Sequence, residues 1–274
     1  MDVELADTLT DRDLKTLARL VYDRAGITLH DGKRALVTAR LQKRVRAGGY
    51  ETFTAYVKFV EQDPSGDELV ALLDAISTNH TSFFREPQHF ELLTSRIAPK
   101  VGPQGIDIWS AACSSGEEPY TIAMTMADAL GARVSGVRIL ASDLSTKVLA
   151  AARIGVYRMD RVEGLPREVL RRHFEKGLGA QAGLARVQSR LASLVKFDRL
   201  NLLDVGDLGR RFEVIFCRNV MIYFDRAVQQ RVVSMLERHL KPGGWLFISH
   251  SESLNGITHG LQWVAPAVYR RRDG

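Results

Sequence analysis

Near residue 105 the spacing of apolar residues switches from one period to another, and few architectures accommodate both halves of this 274-residue chain. Upstream, the period is helical throughout. After Thr10-Asp11, the residues Leu14, Leu17, Leu20 and Val21 predict a first helix that Gly26 stops. Asp31 is placed to cap a second helix over 31–47, ended by Gly48-Gly49. Phe53, Tyr56, Val57 and Val60 predict a third, closed by the turn signal Asp63-Pro64-Ser65-Gly66, and Leu69, Leu72, Leu73 and Ile76 a fourth. No β-run interrupts this stretch, so 1–78 is expected to be an all-α domain and 79–104 a linker and connecting helix.

Downstream, short apolar runs alternate with helical patterns. IDIWSAA (106–112) reads as a buried strand, followed by a Ser/Gly turn and a helix from Pro119 to Leu130. RILAS (138–142) is a second strand, followed by Asp143 and a helix through Leu149. FEVIFC (212–217) and WLFIS (245–249) are further strands, with a helix of Val228, Val232, Met235 and Leu236 between them. Such alternation predicts an α/β fold over 105–274, a doubly wound, mainly parallel sheet covered on both faces. LARVQSRLASLVKF shows loose alternation and no helix of its own, which predicts a small antiparallel β-subdomain at about 170–200, inserted in the main sheet.

Composition narrows the function classes. No run reaches the eighteen or so apolar residues of a membrane helix, and the acidic opening MDVELADTLTD lacks the plan of a signal peptide, so a cytoplasmic location is expected. Two cysteines, Cys113 and Cys217, far apart, predict reduced thiols rather than a disulfide. Scattered histidines and the lack of any CxxC or HxxxH spacing predict no metal site. The net charge of +6 favours an acidic partner without choosing among nucleic acid, anionic membrane and acidic protein.

In an open α/β sheet ligands bind beyond the carboxyl ends of the strands. After the first strand stands CSSGEEP (113–119), in which Gly116 either admits a ligand close to the backbone or simply makes a strand–helix turn. Glu117 and Glu118 lie where a dinucleotide phosphate would otherwise sit, which disfavours a pyrophosphate and suits a sulfonium or amine. Asp143, after the second strand, is either a helix cap or the acceptor of two ribose hydroxyls, with Ser145 sharing the first reading. CRNVMIYFD (217–225) puts Arg218, Asn219 and Tyr223 at the same edge, in a pattern unlike core packing. NHTSFFRE (79–86) joins the two halves: Phe83 and Phe84 are expected to dock the domains, and either Arg85 caps a carboxylate in a plain linker or Asn79, Thr81 and Arg85 cover the ligand cleft as a lid, which an interdomain position favours.

The set NHTSFFRE, WSAACSSGEEPYTIA (109–123), ASDLS (141–145), NLLD (201–204) and CRNVMIYFD resembles the CheR family, the chemotaxis receptor methyltransferases, in order and spacing along essentially the whole chain. The resemblance implies an all-α domain followed by an S-adenosylmethionine-binding α/β domain with a small β-subdomain. It implies methyl transfer to glutamate side chains on cytoplasmic helices of chemoreceptors, giving glutamyl methyl esters and S-adenosylhomocysteine. Carried over by position, it implies cofactor contacts at Asn79, Thr81, Arg85, Glu118, Asp143, Asn201, Leu202, Asn219 and Val220, and a tyrosine beside the reacting methyl at Tyr223. Arg85 and Tyr223 are then the candidates for steering the substrate carboxylate. A glutamate is already ionised at neutral pH, so no general base is required.

The helix over 31–47 offers the receptor contact. Lys33, Arg40, Lys43 and Arg44 share one arc beside Val37, Leu41 and Val45, with few compensating acids, and are expected to meet a Glu-rich receptor helix. Gly177, Gly179 and Gly183 resemble the loop with which some family members hold a peptide at the receptor C-terminus. Two rivals are an RNA methyltransferase, disfavoured because CRNVMIY stands where the Asn/Asp-Pro-Pro-aromatic motif of nucleic-acid amino-methyltransferases would be, and a non-catalytic cofactor-binding regulator.

Overall fold

A computed structural model describes residues 8–29, 31–76 and 79–273. The chain divides into two compact units, one of Met1–Thr78 with Tyr223–Val228, the other of Asn79–Ile222 with Gln229–Gly274.

The first unit is helical. Helix α1 (Asp11–Ala25) starts with a capping box in which Thr10 and Asp13 satisfy each other's backbone N–H, and it ends on Gly26 at φ 68°. Helix α2 (Arg34–Ala47) begins later than the sequence suggests. A single 3-10 turn occupies Asp31–Lys33, and the N-cap is Lys33, which makes no side-chain cap bond. Gly32 in what would have been the first α turn is the local reason. Helix α3 (Phe53–Gln62) is capped by Thr52, and α4 (Asp67–Ile76) follows a turn in which Asp63 accepts from the amides of Ser65 and Glu68. The apolar stripes close on one another: Leu17, Val21, Leu41, Val45, Phe53, Tyr56 and Leu72 are all buried. The late segment joins this unit through Thr28 N–H donating to Tyr223 O (3.0 Å) and Tyr22 donating to Asp225 (2.8 Å).

The second unit opens with α5 (Gln88–Leu92) and then alternates: β1 (Ile106–Ala111), α6 (Glu117–Leu130), β2 (Val137–Asp143), α7 (Thr146–Ile154). An excursion follows, made of β3 (Val156–Arg158), α8 (Arg167–His173), β4 (Phe174–Lys176), β5 (Leu184–Val187) and α9 (Ser189–Ala192). The sheet resumes with β6 (Val195–Arg199), β7 (Phe212–Cys217), α10 (Arg226–His239), β8 (Leu240–Phe247), β9 (Leu261–Ala265) and β10 (Val268–Arg271). The main sheet runs β6-β2-β1-β7-β8-β10-β9, and all neighbours from β6 to β8 are parallel while β10 is antiparallel to both of its neighbours. This is the doubly wound arrangement expected.

The antiparallel excursion differs in position. Its three strands, ordered β3-β5-β4, begin at Val156, and Val195–Arg199 is the edge strand of the main sheet instead. SRLA within that stretch is a short helix. Alternating residues in a run of this length fit the edge of a large sheet as well as a small one, so the pattern alone does not assign the strand.

The chain leaves β1 towards β2 and β6 on one side and returns to β7 and β8 on the other, which makes the gap between β1 and β7 the switch point. Register brings the ends level: Ala111 lies beside both Ser142 and Cys217. Every residue of β1 is buried, and Trp109 donates its indole N–H to Ser142 Oγ at 2.8 Å, fixing β1 against β2 just below that edge.

Candidate active site

Four turns meet at the carboxyl edge of β6, β2, β1 and β7. The turn after β1 is unusual in its backbone: Ala112, Ser114 and Gly116 all have positive φ, at 68°, 50° and 97°. Side-chain residues in that region carry strain that surrounding bonds must hold. They are supplied by β2: Cys113 N–H donates to Ser142 O at 2.8 Å, and Ser114 N–H to Asp143 Oδ2 at 2.9 Å. The other oxygen of Asp143 accepts from Ser145 N–H at 2.9 Å, while Ser145 itself caps α7 through Val148 N–H. Asp143 is therefore a bridge between two turns, and the cap is Ser145.

Gly116 is explained by packing rather than by a ligand. A Cβ there would lie 2.9 Å from the Tyr157 hydroxyl and 3.0 Å from Ala152 Cβ. The two glutamates that follow are already paired. Glu117 is buried against the Arg161 guanidinium and the Ser115 hydroxyl. Glu118 accepts from Ser110 Oγ at 2.7 Å and pairs with Arg218 at 3.1 Å. The expected exclusion of a pyrophosphate by two uncompensated charges thus loses much of its force, because each charge has its own arginine. Burial pushes the Glu118 carboxyl above its ordinary range, against the pull of Arg218 and Ser110.

Asn201 and Leu202 follow β6, beside β2: Leu200 N–H donates to Asp143 O at 3.2 Å, and Asn201 Oδ1 accepts from Leu203 N–H at 3.1 Å. Asn219 and Val220 follow β7. Asn219 adopts φ 59° and donates from Nδ2 to Ser249 Oγ at 2.6 Å.

The segment NHTSFFRE is anchored to this unit residue after residue. Asn79 O accepts from Ser114 Oγ (3.1 Å), Thr81 O from Arg161 (2.9 Å), and Arg85 O from Arg218 (2.5 Å), while Phe84 N–H donates to Thr121 Oγ1 (3.2 Å). The Arg85 guanidinium donates to His80 O at 2.9 Å. Phe83 packs edge-on to Tyr157 and Phe174, and Phe84 edge-on to Phe90. These ring partners all belong to the α/β unit, and there Phe83 is part of the hydrophobic core with Phe84 packed against it.

Sequence reasoning puts Arg218 at this edge, in a pattern unlike core packing, but misses that it is buried and ties these pieces together. Arg218 has a side chain only 2% exposed, held 3.0 Å from Glu86 and 3.1 Å from Glu118. Its position after an apolar run marked it as polar, but not as buried. Burial opposes ionisation of Glu86, yet the Ser249 hydrogen bond and the Arg218 charge prevail and hold it below the usual carboxylate range. Glu86, His89 and His250 bring three ligating atoms within 4.8 Å of one another, a grouping that their separation in sequence hides. The Arg218 guanidinium already supplies the positive charge against Glu86. The Cys113 and Cys217 thiols are pushed well up by burial and remain protonated.

Nine of the ten candidate site residues thus lie in one unit, on its carboxyl edge or on the segment pinned to it. Tyr223 groups with the helical unit, where Lys33 Nζ stands 5.5 Å from its ring centroid. The basic arc of α2 is less available than expected. Arg44 makes a two-pronged pair with Glu68 of α4 (2.8 and 2.6 Å), and Arg40 donates to Ile76 O at 2.5 Å. The compensating acid sits on another helix, out of sight of a spacing argument, and of the four only Lys43 is exposed, the others being half-buried. In the small sheet, a Cβ on Gly177 would meet Gln181 O at 2.0 Å, so loop closure itself demands that glycine.

Residues 79–269 match the family described as CheR methyltransferase, SAM binding domain, and residues 12–77 that described as CheR methyltransferase, all-alpha domain. The chain is 40% identical to a chemotaxis protein methyltransferase of Salmonella typhimurium over 262 residues, covering 95% of this chain and 90% of the relative. It is 41% identical to the one of Escherichia coli (95% and 91% covered) and 38% identical to that of Borreliella burgdorferi (96% and 95%).

Proposed function

The chain belongs to the CheR methyltransferase family and is an S-adenosylmethionine-dependent methyltransferase, and from that premise we propose that it methylates glutamate side chains on the cytoplasmic helices of a chemoreceptor. The observation that carries the reading is the convergence of Asp143, Glu118, Asn201 and Asn219 on one sheet edge, with Asn79, Thr81 and Arg85 pinned to the same unit.

In this proposal Asp143 takes the ribose hydroxyls, its direction fixed by the amides of Ser114 and Ser145. Glu118 lies by the cationic methionine portion, and Asn79, Thr81, Arg85, Asn201, Leu202, Asn219 and Val220 complete the contacts. Bound S-adenosylmethionine supplies the methyl group on a sulfonium. The protein's part is alignment, which can contribute roughly 7–11 kcal/mol to a displacement of this kind. A substrate glutamate is ionised at neutral pH and needs no base, which accords with thiols held protonated. Arg85 and Tyr223 steer that carboxylate.

For the receptor contact we assign the exposed Lys43, with Lys33 at the N-terminal end of α2, rather than the paired Arg44. A receptor C-terminal peptide would meet the small sheet at the groove lined by Glu175, Lys176, Leu178 and Arg186. The enzyme would work in the cytoplasm, where such receptor helices lie. Radiolabelled methyl transfer to receptor-bearing membranes tests the reading. Label on receptor protein released as methanol by mild base indicates a glutamyl ester; base-stable label, or label on RNA, rejects it.

A further inference from the structure

Glu252 has no part in the assignments above, yet its carboxylate organises the loop after β7. Oε1 accepts from Val220 N–H at 2.9 Å and Met221 N–H at 2.8 Å; Oε2 accepts from Asn219 N–H at 3.2 Å and Ser249 N–H at 2.8 Å. Three consecutive amides therefore converge on one side chain, forming an anion-binding concavity filled from within the chain. The same loop holds Asn219 at φ 59°, a region that a non-glycine residue keeps only when its surroundings fix it. The side chain of Asn219 is then aimed by Ser249 Oγ, at 2.6 Å, and that hydroxyl donates in turn to Glu86 Oε1 at 2.8 Å. A continuous polar chain runs from Asn219 through Ser249, Glu86 and Arg218 to Glu118.

We propose that Glu252 is a positioning residue that fixes the backbone of Asn219 and Val220 in the shape needed to hold S-adenosylmethionine. The inference rests on the reading that these two residues touch the cofactor. The chemistry at position 252 is specific. An ionised carboxylate is acceptor-only and offers about four lone-pair sites on two oxygens, which matches four converging N–H groups. A glutamine of the same shape offers one oxygen and turns two N–H donors towards amide donors. It removes two acceptors without changing volume, so its effect reports on loop shape rather than on packing.

The test compares wild type, Glu252→Gln and Asn219→Ala by calorimetric titration of S-adenosylhomocysteine, with thermal melting to verify folding and steady-state kinetics on receptor membranes. The expected result is a roughly tenfold weaker S-adenosylhomocysteine affinity in both variants, about 1.4 kcal/mol. The KM for S-adenosylmethionine should rise by a similar factor in Glu252→Gln, while kcat at saturation stays within about twofold. A merely structural role would instead lower the active fraction and hence kcat at unchanged KM, and that outcome overturns the proposal. If Asn219→Ala weakens binding and Glu252→Gln does not, Glu252 is not the positioning residue. If Asn219→Ala binds as wild type does, the placement of the cofactor fails, and the role of Glu252 with it. Should Glu252→Gln not fold, Glu252→Asp keeps the charge on a shorter stem: a raised KM with retained kcat supports the proposal, and an unchanged KM overturns it.

Discussion

Arg218 and Glu118 form a buried ion pair, Nη1 to Oε2 3.1 Å, joining the end of β7 to the first turn of α6 across the switch point. The same guanidinium reaches Glu86 and the carbonyl of Arg85, so one cation fixes three segments of the site. Removing one member of a buried pair leaves an uncompensated charge in a poorly solvated place, which costs about 3–5 kcal/mol. Arg218→Met should lose stability on that scale in urea unfolding. Arg218→Lys should recover only part, because one ammonium cannot present the planar fork that serves two carboxylates and a carbonyl. A variant as stable as wild type would contradict this account.

Asp143 holds Ser114 N–H with one oxygen and Ser145 N–H with the other. Asp143→Asn keeps the volume but places a donor where an amide already points. If this acid also takes the ribose, S-adenosylhomocysteine affinity should fall about tenfold to a hundredfold, roughly 1.4–2.8 kcal/mol, beyond any loss of melting temperature. Calorimetric titration separates the two effects. Weakening that merely tracks unfolding would remove Asp143 from the cofactor site.

Turnover offers a further check on the steering residues. Arg85→Ala and Tyr223→Phe should each lower kcat with little loss of folding, since the Arg85 guanidinium donates to the carbonyl of a near neighbour, His80, and Tyr223→Phe removes a single hydroxyl. A tenfold or greater loss in kcat at saturating receptor is expected for each. Unchanged turnover in both would remove them from the reaction.

The period change near residue 105 was enough to separate helices from the wound sheet, because helical and strand spacing are the two patterns that burial imposes most strongly. The strand-end residues Asp143 and Asn219 are legible for the same reason: once strands are placed, their carboxyl ends follow, whereas Asn201 comes only from the family resemblance because the strand before it, Val195–Arg199, does not stand out by its pattern. What stayed hidden was pairing across distance. Glu68 neutralises Arg44 from another helix, Arg161 neutralises Glu117 across 44 residues, and Glu86 meets Ser249 across 163. None of these leaves a local spacing. Gly116, which the sequence leaves open between a ligand contact and a plain strand–helix turn, is decided by packing, since Tyr157 and Ala152 leave no room for a Cβ.

Charge reversal on α2 distinguishes docking from folding. Lys43 is exposed, whereas Arg44 is partly buried and paired twice with Glu68. Lys43→Glu should raise the KM for receptor severalfold, increasingly so at low salt, and leave melting temperature and S-adenosylhomocysteine binding unchanged. Arg44→Glu should instead lower the melting temperature, because it opposes two carboxylates at the α2–α4 contact. Equal effects of the two on receptor KM at equal stability would count against Lys43 as the contact.

His89 gives the pH dependence a sign. It is 1% exposed, and neither ring nitrogen has a hydrogen-bond partner. Burial, then the charge of Arg218, pushes its pKa down to about 4, against a value near 6.5 in an unfolded chain. Between those values the unfolded state binds a proton that the native state does not. Stability from this residue is therefore present above about pH 6.5 and lost as pH falls towards 4. Glu86 and Asp107, both held below the ordinary carboxylate range, lose their contributions in the same direction at lower pH. Glu118 and Glu252, both raised, oppose that trend, so the His89 share must be isolated by difference. His89→Phe keeps an aromatic ring against Phe247, 5.3 Å away, and removes the titration. Between pH 7 and 5 the unfolding free energy of wild type should fall by about 2 kcal/mol relative to that variant. A difference that stays constant over this range would show that His89 does not titrate between the folded and unfolded states.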